Sequence, residues 1–245
     1  MSRVYGEKCN LNHDKVKRFF DERSQKKTDS ILSLVMYQDK ENVEKRHALD
    51  VSALTPLLKL SSVARVFEIG CGVGRWADAL HQKIGDYLGI DFASGLIKIA
   101  QENFNYPNCK YQVMSANSIE QSDLLLPPPY DIVIFSGILM YLDDCDVQRL
   151  FLKLNNMLKP EFSQILVREP ISVLSERVTL DAFYSEGLQS EYSAIYRTEP
   201  EMYELFATLK GFDVMHSGFS YNKVLDTRAE TQAKYYILER NGENK

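Results

Sequence analysis

The sequence predicts an α/β protein built around a parallel sheet with helices on both faces. From residue 63 onward, short apolar runs alternate with helix-like segments, and the runs are continuous, as strands buried on both faces require. The first run passes through three closely spaced glycines, Gly70, Gly72 and Gly74, straight into a helical pattern. Two further strand-like runs follow near the C-terminal end.

Residues 1–60 read as helical, with no strong strand signal. Segments 14–20 and 29–36 place apolar residues at helical spacing, and 51–60 is a third such stretch, with Pro56 suited to a first turn. Strands are expected at 63–69, 87–90, 110–114, 131–135 and 164–167, and helices at 75–83, 94–103 and 147–158. Pro127, Pro128 and Pro129 form a stiff connector before the fourth strand. A tyrosine-rich insertion spans about 171–210 and carries a helical stretch at 200–209. Strands at 211–221 and 233–239, joined by a polar loop at 222–232, complete the chain. The division expected is a helical cap, 1–60, and a ligand-binding domain, 61–245, with the insertion as a lid.

With 44% hydrophobic and 26% charged residues, the 245-residue chain has the composition of a water-soluble domain with a sizeable core. It has no apolar run of the roughly 20 residues a membrane span needs, nor the apolar start of a secretory signal, so a cytoplasmic location is expected. A net charge of −5 gives no broad attraction for nucleic acid. The first 60 residues hold 12 Lys and Arg against 9 Asp and Glu, an excess small enough for a solvated helix face. Cys9, Cys71, Cys109 and Cys145 are scattered without a metal-ligand spacing, so reduced thiols and no metal site are expected.

The chemistry concentrates around the glycines. A turn free of side chains lets a ligand approach the backbone, and the helix that follows offers unpaired N–H groups. The spacing is G-x-G-x-G, unlike the dinucleotide fingerprint, and the Lys-Ser/Thr of a phosphate loop is missing. Glu68, two positions before Gly70, suits a cationic amino group better than a pyrophosphate. Asp91, ending the next strand, is placed to accept hydrogen bonds from two ribose hydroxyls. Two plainer readings stand beside these: the glycines as a tight strand-to-helix turn, and Asp91 as the cap of the helix near Ser94.

These residues resemble motifs I and II of the class I S-adenosylmethionine-dependent methyltransferases. The likeness continues through Tyr130 to Leu142, similar to the family's fourth-strand motif, and to Leu158, Lys159 and Pro160 before strand five. It implies a Rossmann-like, seven-stranded, mostly parallel sheet with an antiparallel last strand, and S-adenosylmethionine as cofactor. Gly70, Cys71, Gly72 and Gly74 would line its methionine and ribose, with Glu68 near the amino group. Asp91 would hold the ribose and Phe92 would pack on the adenine. The stretch Ser115, Ala116, Asn117 would face the adenine edge, where the family often has a carboxylate and this chain has none. Ser136 and Gly137 would approach the sulfonium. Many small-molecule members have a histidine where Tyr141 stands. The stretch Phe20, Asp21, Glu22, Arg23 is similar to a leading helix of some glycan-modifying methyltransferases, which would bring Arg23 to the cofactor; a surface ion pair is the other reading of Arg23.

For the acceptor, the sequence offers Arg168 and Glu169 at the end of strand five and the aromatic lid. Phenols and guanidinium groups suit a polar acceptor with hydroxyls or phosphates, although packing explains many of the tyrosines. Tyr184, Tyr192, Arg168 and Arg197 are the expected substrate-binding residues, and Glu169, Tyr141 and Tyr196 the expected base or orienting groups. His13 and His47 fall in the leading helices without an assigned role. The expected activity is methyl transfer to an oxygen of a sugar, glycan or phosphate group, with bacterial surface polysaccharide as the specific version. Protein or RNA methylation, and a silent cofactor-binding regulator, are the alternatives. The sequence does not specify an oligomeric state.

Overall fold

The computed structural model describes residues 2–36, 40–185, 188, 190–221, 225 and 228–241. Residues 186, 187 and 189 of the expected lid lie outside the described residues, as do 222–224, 226 and 227 of the polar loop.

The central sheet has seven strands: β2 (Arg65–Ile69), β3 (Asp86–Asp91), β4 (Cys109–Val113), β5 (Ile132–Ser136), β6 (Gln164–Ser172), β9 (Phe212–Phe219) and β10 (Thr231–Arg240). Their spatial order is β4-β3-β2-β5-β6-β10-β9, and β10 alone runs against its neighbours β6 and β9. This is the mostly parallel, seven-stranded α/β sheet the sequence predicts. The order reverses between β2 and β5, which opens a crevice beyond their carboxyl ends.

After the short helix α2 (Ser33–Met36), helices α3 (Lys40–Leu54), α4 (Arg75–Leu80) and α5 (Ser94–Asn103) cover one face of the sheet. Helices α6 (Asp144–Leu154) and α7 (Glu199–Phe206) cover the other. Trp76, Leu80, Tyr87, Ile134 and Leu166 belong to the first core, and Phe67, Phe135, Phe151, Phe206 and Tyr236 to the second. Pro200 lies in the first turn of α7, where Thr198 and Glu201 form a reciprocal capping box.

Two sequence expectations need correction. The N-terminal segment is not wholly helical, because Ser2–Tyr5 forms strand β1, paired antiparallel with β7 (Val178–Ser185). The insertion, for which the sequence predicts only a helical stretch, also holds strands: β6 continues to Ser172, and β7 pairs with β8 (Ser190–Tyr196) in a second, three-stranded sheet. Val178, Leu180 and Ala182 are buried along β7 at a period of two, whereas residues 192–196 of β8 are buried without a break, so β8 is covered on both faces.

Helix α1 (His13–Ser24) lies against this small sheet. Its Asn12 cap accepts from the Lys15 N–H, and Val16, Phe19, Phe20 and Arg23 form one buried stripe. Leu11, Val16, Phe19 and Phe20 share a third core with Val178, Leu180, Tyr192 and Tyr196. The N-terminal segment and the insertion therefore make one roof over the crevice, although more than 150 residues separate them in sequence.

Candidate active site

Strand β2 carries Glu68 and ends in the glycine turn. Gly70, Gly72 and Gly74 have φ of +77°, +53° and +82°, conformations that glycine adopts without strain. A Cβ on Gly70 would lie 2.5 Å from the Ile138 side chain, so the close approach of the β5 loop also demands glycine. A Cβ on Gly72 would lie 2.9 Å from Val35, which shows how near the N-terminal segment comes to the turn.

Glu68 is 1% exposed and accepts a hydrogen bond from the Tyr87 hydroxyl. Burial pushes its carboxyl up to about 8, against the opposing effects of Tyr87 and Arg75. At the end of β3, Asp91 accepts from the N–H groups of Gly72 (3.0 Å) and Ala93 (2.9 Å). Burial raises it to about 6, and those two N–H groups oppose the shift. The Asp91 carboxylate thus braces the glycine turn while lining the cleft. Gly137, at the end of β5, has φ +76° and nothing within 4 Å of the place a Cβ would occupy, so the backbone here faces open space.

The cleft has a cavity volume of about 330 Å³, within the range of small-ligand sites. One half is the apparatus just described, with Phe92 and Leu96. The other half is walled by Tyr141, Tyr192, Tyr196, Tyr221, Arg46, Arg168 and Arg228. The Tyr192 hydroxyl lies 3.1 Å from that of Tyr141 and 3.3 Å from that of Tyr196, and Arg228 donates to Tyr196. Between the halves, Arg75 donates to the Ser136 hydroxyl and lies 3.0 Å from His47 Nδ1. Burial, with the Arg75 charge, lowers His47 to about 4, so it is neutral at pH 7. Asp50, fully buried on α3, pairs with Arg75 at 3.3 Å and with Arg168 at 3.2 Å.

Residues 66–161, which contain the glycine turn, Asp91 and the β5 loop, match the family model described as a methyltransferase domain. Residues 66–161 carry a methyltransferase domain. Curated relatives include a phosphoethanolamine N-methyltransferase of Triticum aestivum, 26% identical over 145 residues, covering 58% of this chain and 27% of the relative. Phosphoethanolamine N-methyltransferase 1 of Caenorhabditis elegans is 29% identical over 136 residues, covering 55% and 27%. The chain therefore spans little more than a quarter of the length of these two relatives. Among solved structures, the Haemonchus contortus phosphoethanolamine N-methyltransferase 1, in complex with phosphoethanolamine and S-adenosylhomocysteine, superposes with a TM-score of 0.73 at 22% identity, covering 94% of this chain and 49% of that one. The magnesium protoporphyrin IX methyltransferase of Synechocystis, with bound S-adenosylmethionine, gives 0.61 at 15% identity, covering 96% and 100%. These likenesses show the fold, a Rossmann-like α/β sheet of the class I methyltransferase type.

Within the methyltransferase domain, Glu68, Gly70, Cys71, Gly72, Asp91, Phe92, Ser136 and Gly137 line one cleft with Tyr141, Arg168, Tyr192 and Tyr196. Gly74 sits behind it, capping α4. Several expected site residues do not reach it. Glu169, 2% exposed, accepts from the N–H groups of Ile138 (2.8 Å), Leu139 (2.9 Å) and Met140 (3.4 Å), so it is placed as a brace of the β5 loop and not as a base. Arg197 donates to the Leu139 and Leu142 carbonyls, 2.7 Å each, and pairs with Asp144. A carboxylate takes that loop's donors and a guanidinium its acceptors, and together they fix the turn that presents Tyr141.

Arg23 donates to the Ser33 and Leu34 carbonyls and ties α1 to the segment after it, away from the cleft lining. Tyr184 is 48% exposed on β7. Ser115 caps a short turn, Ala116 is in the core, and Asn117 donates to Asp146; none of the three lines the cleft. The residues that sequence reasoning missed are Arg46, Asp50, Arg75, Tyr221 and Arg228. Two of them left a signal: Arg46 and Asp50 share the buried stripe of α3 with Val43 and Leu54, an unusual place for charge.

Proposed function

We propose that the chain transfers the methyl group of S-adenosylmethionine to a small polar acceptor held among Tyr141, Tyr192 and Tyr196. The observation that carries this reading is the continuity of one cleft from Glu68 and Asp91, past the open backbone at Gly137, to the three phenols. The cofactor, when bound, supplies a methyl group on an activated sulfonium leaving group. Glu68 suits its ammonium, Asp91 its ribose hydroxyls, Phe92 its adenine, and the Gly137 backbone leaves room beside the reacting centre. The roof, through Phe20 and Val35, excludes water from the cofactor, while the Tyr141 wall orients the acceptor for in-line attack.

Among the described residues, the acceptor half presents phenols and guanidinium groups but no carboxylate or imidazole. An alcohol needs a base to become a good nucleophile, whereas an amine attacks through its own lone pair after losing an ammonium proton. The relatives named for phosphoethanolamine weigh the same way. We therefore favour an amine nitrogen over the sugar or glycan oxygen expected from sequence, with Tyr141 as the phenol beside it. The segment before residue 61, together with the β7–β8 hairpin, acts as the cap. No helix among the described residues is long and apolar enough to cross a membrane. Radiolabelled S-adenosylmethionine, incubated with the protein and with phosphoethanolamine, ethanolamine or sugar phosphates, tests the reading. Label is expected in an amine, and label confined to sugar phosphates would reverse the preference.

A further inference from the structure

Away from the cleft, the roof meets the loop after β5 through a cluster of ligand-type side chains. His13 opens α1, while Asp143 and Asp146 stand at the start of α6. His13 Nε2 lies 3.2 Å from Asp143 Oδ2 and 3.3 Å from Asp146 Oδ2, and the three atoms fall within 4.8 Å of one another. The imidazole has at most one Nε2 proton for these two oxygens, whereas a cation at the centre can bond all three atoms. Both aspartates are 7% exposed, and buried charge of one sign needs a compensating partner. Arg149 donates to Asp146 Oδ1, but among the described residues no Lys or Arg pairs with Asp143. Asp143 occupies the N-cap of α6, yet its side chain makes no capping hydrogen bond. It turns to the roof instead, where Oδ1 accepts from the Leu11 N–H at 2.8 Å and Oδ2 faces His13.

We propose that His13, Asp143 and Asp146 form a structural zinc site that staples the roof to the loop presenting Tyr141. Ligand atoms about 2.1 Å from a shared ion stand roughly 3.0–3.4 Å apart at octahedral to tetrahedral angles, and the 3.2 and 3.3 Å separations fall in that range. One imidazole with two carboxylates suits zinc better than magnesium or calcium, which take oxygen ligands. Metal-binding carboxylates are themselves held by hydrogen bonds, and here Leu11 holds Asp143 while Asn117 and Arg149 hold Asp146. The His13 side chain is 43% exposed, which gives the ion an entry path and leaves a position for water. Asp143 follows Tyr141 by two residues, and Phe20 of α1 meets the Tyr141 ring at 5.0 Å, so the ion closes one end of that contact. None of the three ligands lines the cleft, so the ion braces and takes no part in methyl transfer. Cysteine spacing in the sequence points to no metal, but this set contains no cysteine, and 130 residues separate His13 from Asp143.

Calorimetry on the full chain, freed of metal with a chelator, tests this with zinc, magnesium and calcium chlorides as probes. Zinc should bind, and magnesium and calcium at least about tenfold more weakly, as the imidazole ligand implies. His13→Gln and Asp143→Asn should each weaken zinc by about tenfold or more. Both changes are mild, since His13 is exposed and the amide of Asp143→Asn can still accept from Leu11, and circular dichroism reports that the variants fold. Zinc should also slow hydrogen exchange across α1 in the unaltered protein, without cofactor, and not in the variants. Zinc that fails to bind, or that binds either variant as tightly as the unaltered protein, overturns the site. Magnesium or calcium bound as tightly as zinc overturns the choice of metal. Zinc that binds through these residues and leaves exchange in α1 unchanged overturns the staple.

Discussion

At the scale of single residues, Glu68 makes the sharpest demand. Its carboxyl, raised to about 8 by burial, is mostly protonated at pH 7 before any cation arrives. A bound ammonium favours the ionised form, so cofactor binding expels a proton. Affinity for S-adenosylhomocysteine should therefore rise between pH 6 and about 8, and Glu68→Gln should flatten that rise. The same raised value has a cost without ligand. The folded state holds a proton that the unfolded chain has released above its usual 4.5, so stability from this group is lost as pH climbs from there to about 8. Glu169 separates two roles. Removing its carboxylate in Glu169→Ala orphans three loop N–H groups and should cost roughly 1–3 kcal/mol of stability in chemical denaturation. Loss of a pH-rate limb with unchanged stability would instead mark it as a base. Sequence reasoning saw an acid at a strand's catalytic end but not that the adjacent loop would consume both its oxygens.

Among the elements, α3 joins the roof to the sheet through charge. Asp50 lies between Arg75 at the start of α4 and Arg168 on β6, so its loss leaves two buried guanidinium groups facing each other. Asp50→Ala should destabilise the protein by about 3–5 kcal/mol, and thermal melting gives the readout. An unchanged melting temperature would show that the pair is solvated and not held. The glycine turn and the alternating strands were legible because backbone geometry there admits few residue types and buried parallel strands admit few polar ones. Strands β1, β7 and β8 were not: Thr179, Asp181 and Ser193 interrupt their apolar residues, a weaker signal, and β1 lies far in sequence from its partner β7. Arg46 and Arg75 were missed for a related reason, since a charge on a helix reads as solvent-facing until the fold shows what it faces.

At the scale of the whole molecule, the sheet has a core on each face, and the roof packs a third core onto Val73, Ala93, Leu96 and Tyr141. The roof packs Phe19 and Phe20 against Tyr141 and Tyr192. Through Phe20 it also meets Phe92 at 5.8 Å, beside the expected adenine. A cap of short elements packed over one end of the sheet opens at a lower free energy than the central strands beneath it. Hydrogen exchange in α1, β7 and β8 should therefore be faster than in β2 and β5, and S-adenosylhomocysteine should slow it. Slowing confined to the sheet would mean the roof does not cover the ligand.

The central claim is that this cleft holds the cofactor of methyl transfer through Glu68 and Asp91. Calorimetric titration with S-adenosylhomocysteine addresses it most directly. One molecule should bind per chain, and Asp91→Ala, which removes a ribose acceptor and a brace of the glycine turn, should weaken it by about 10- to 100-fold. No binding to the unaltered protein, or equal binding to Asp91→Ala, would contradict the account.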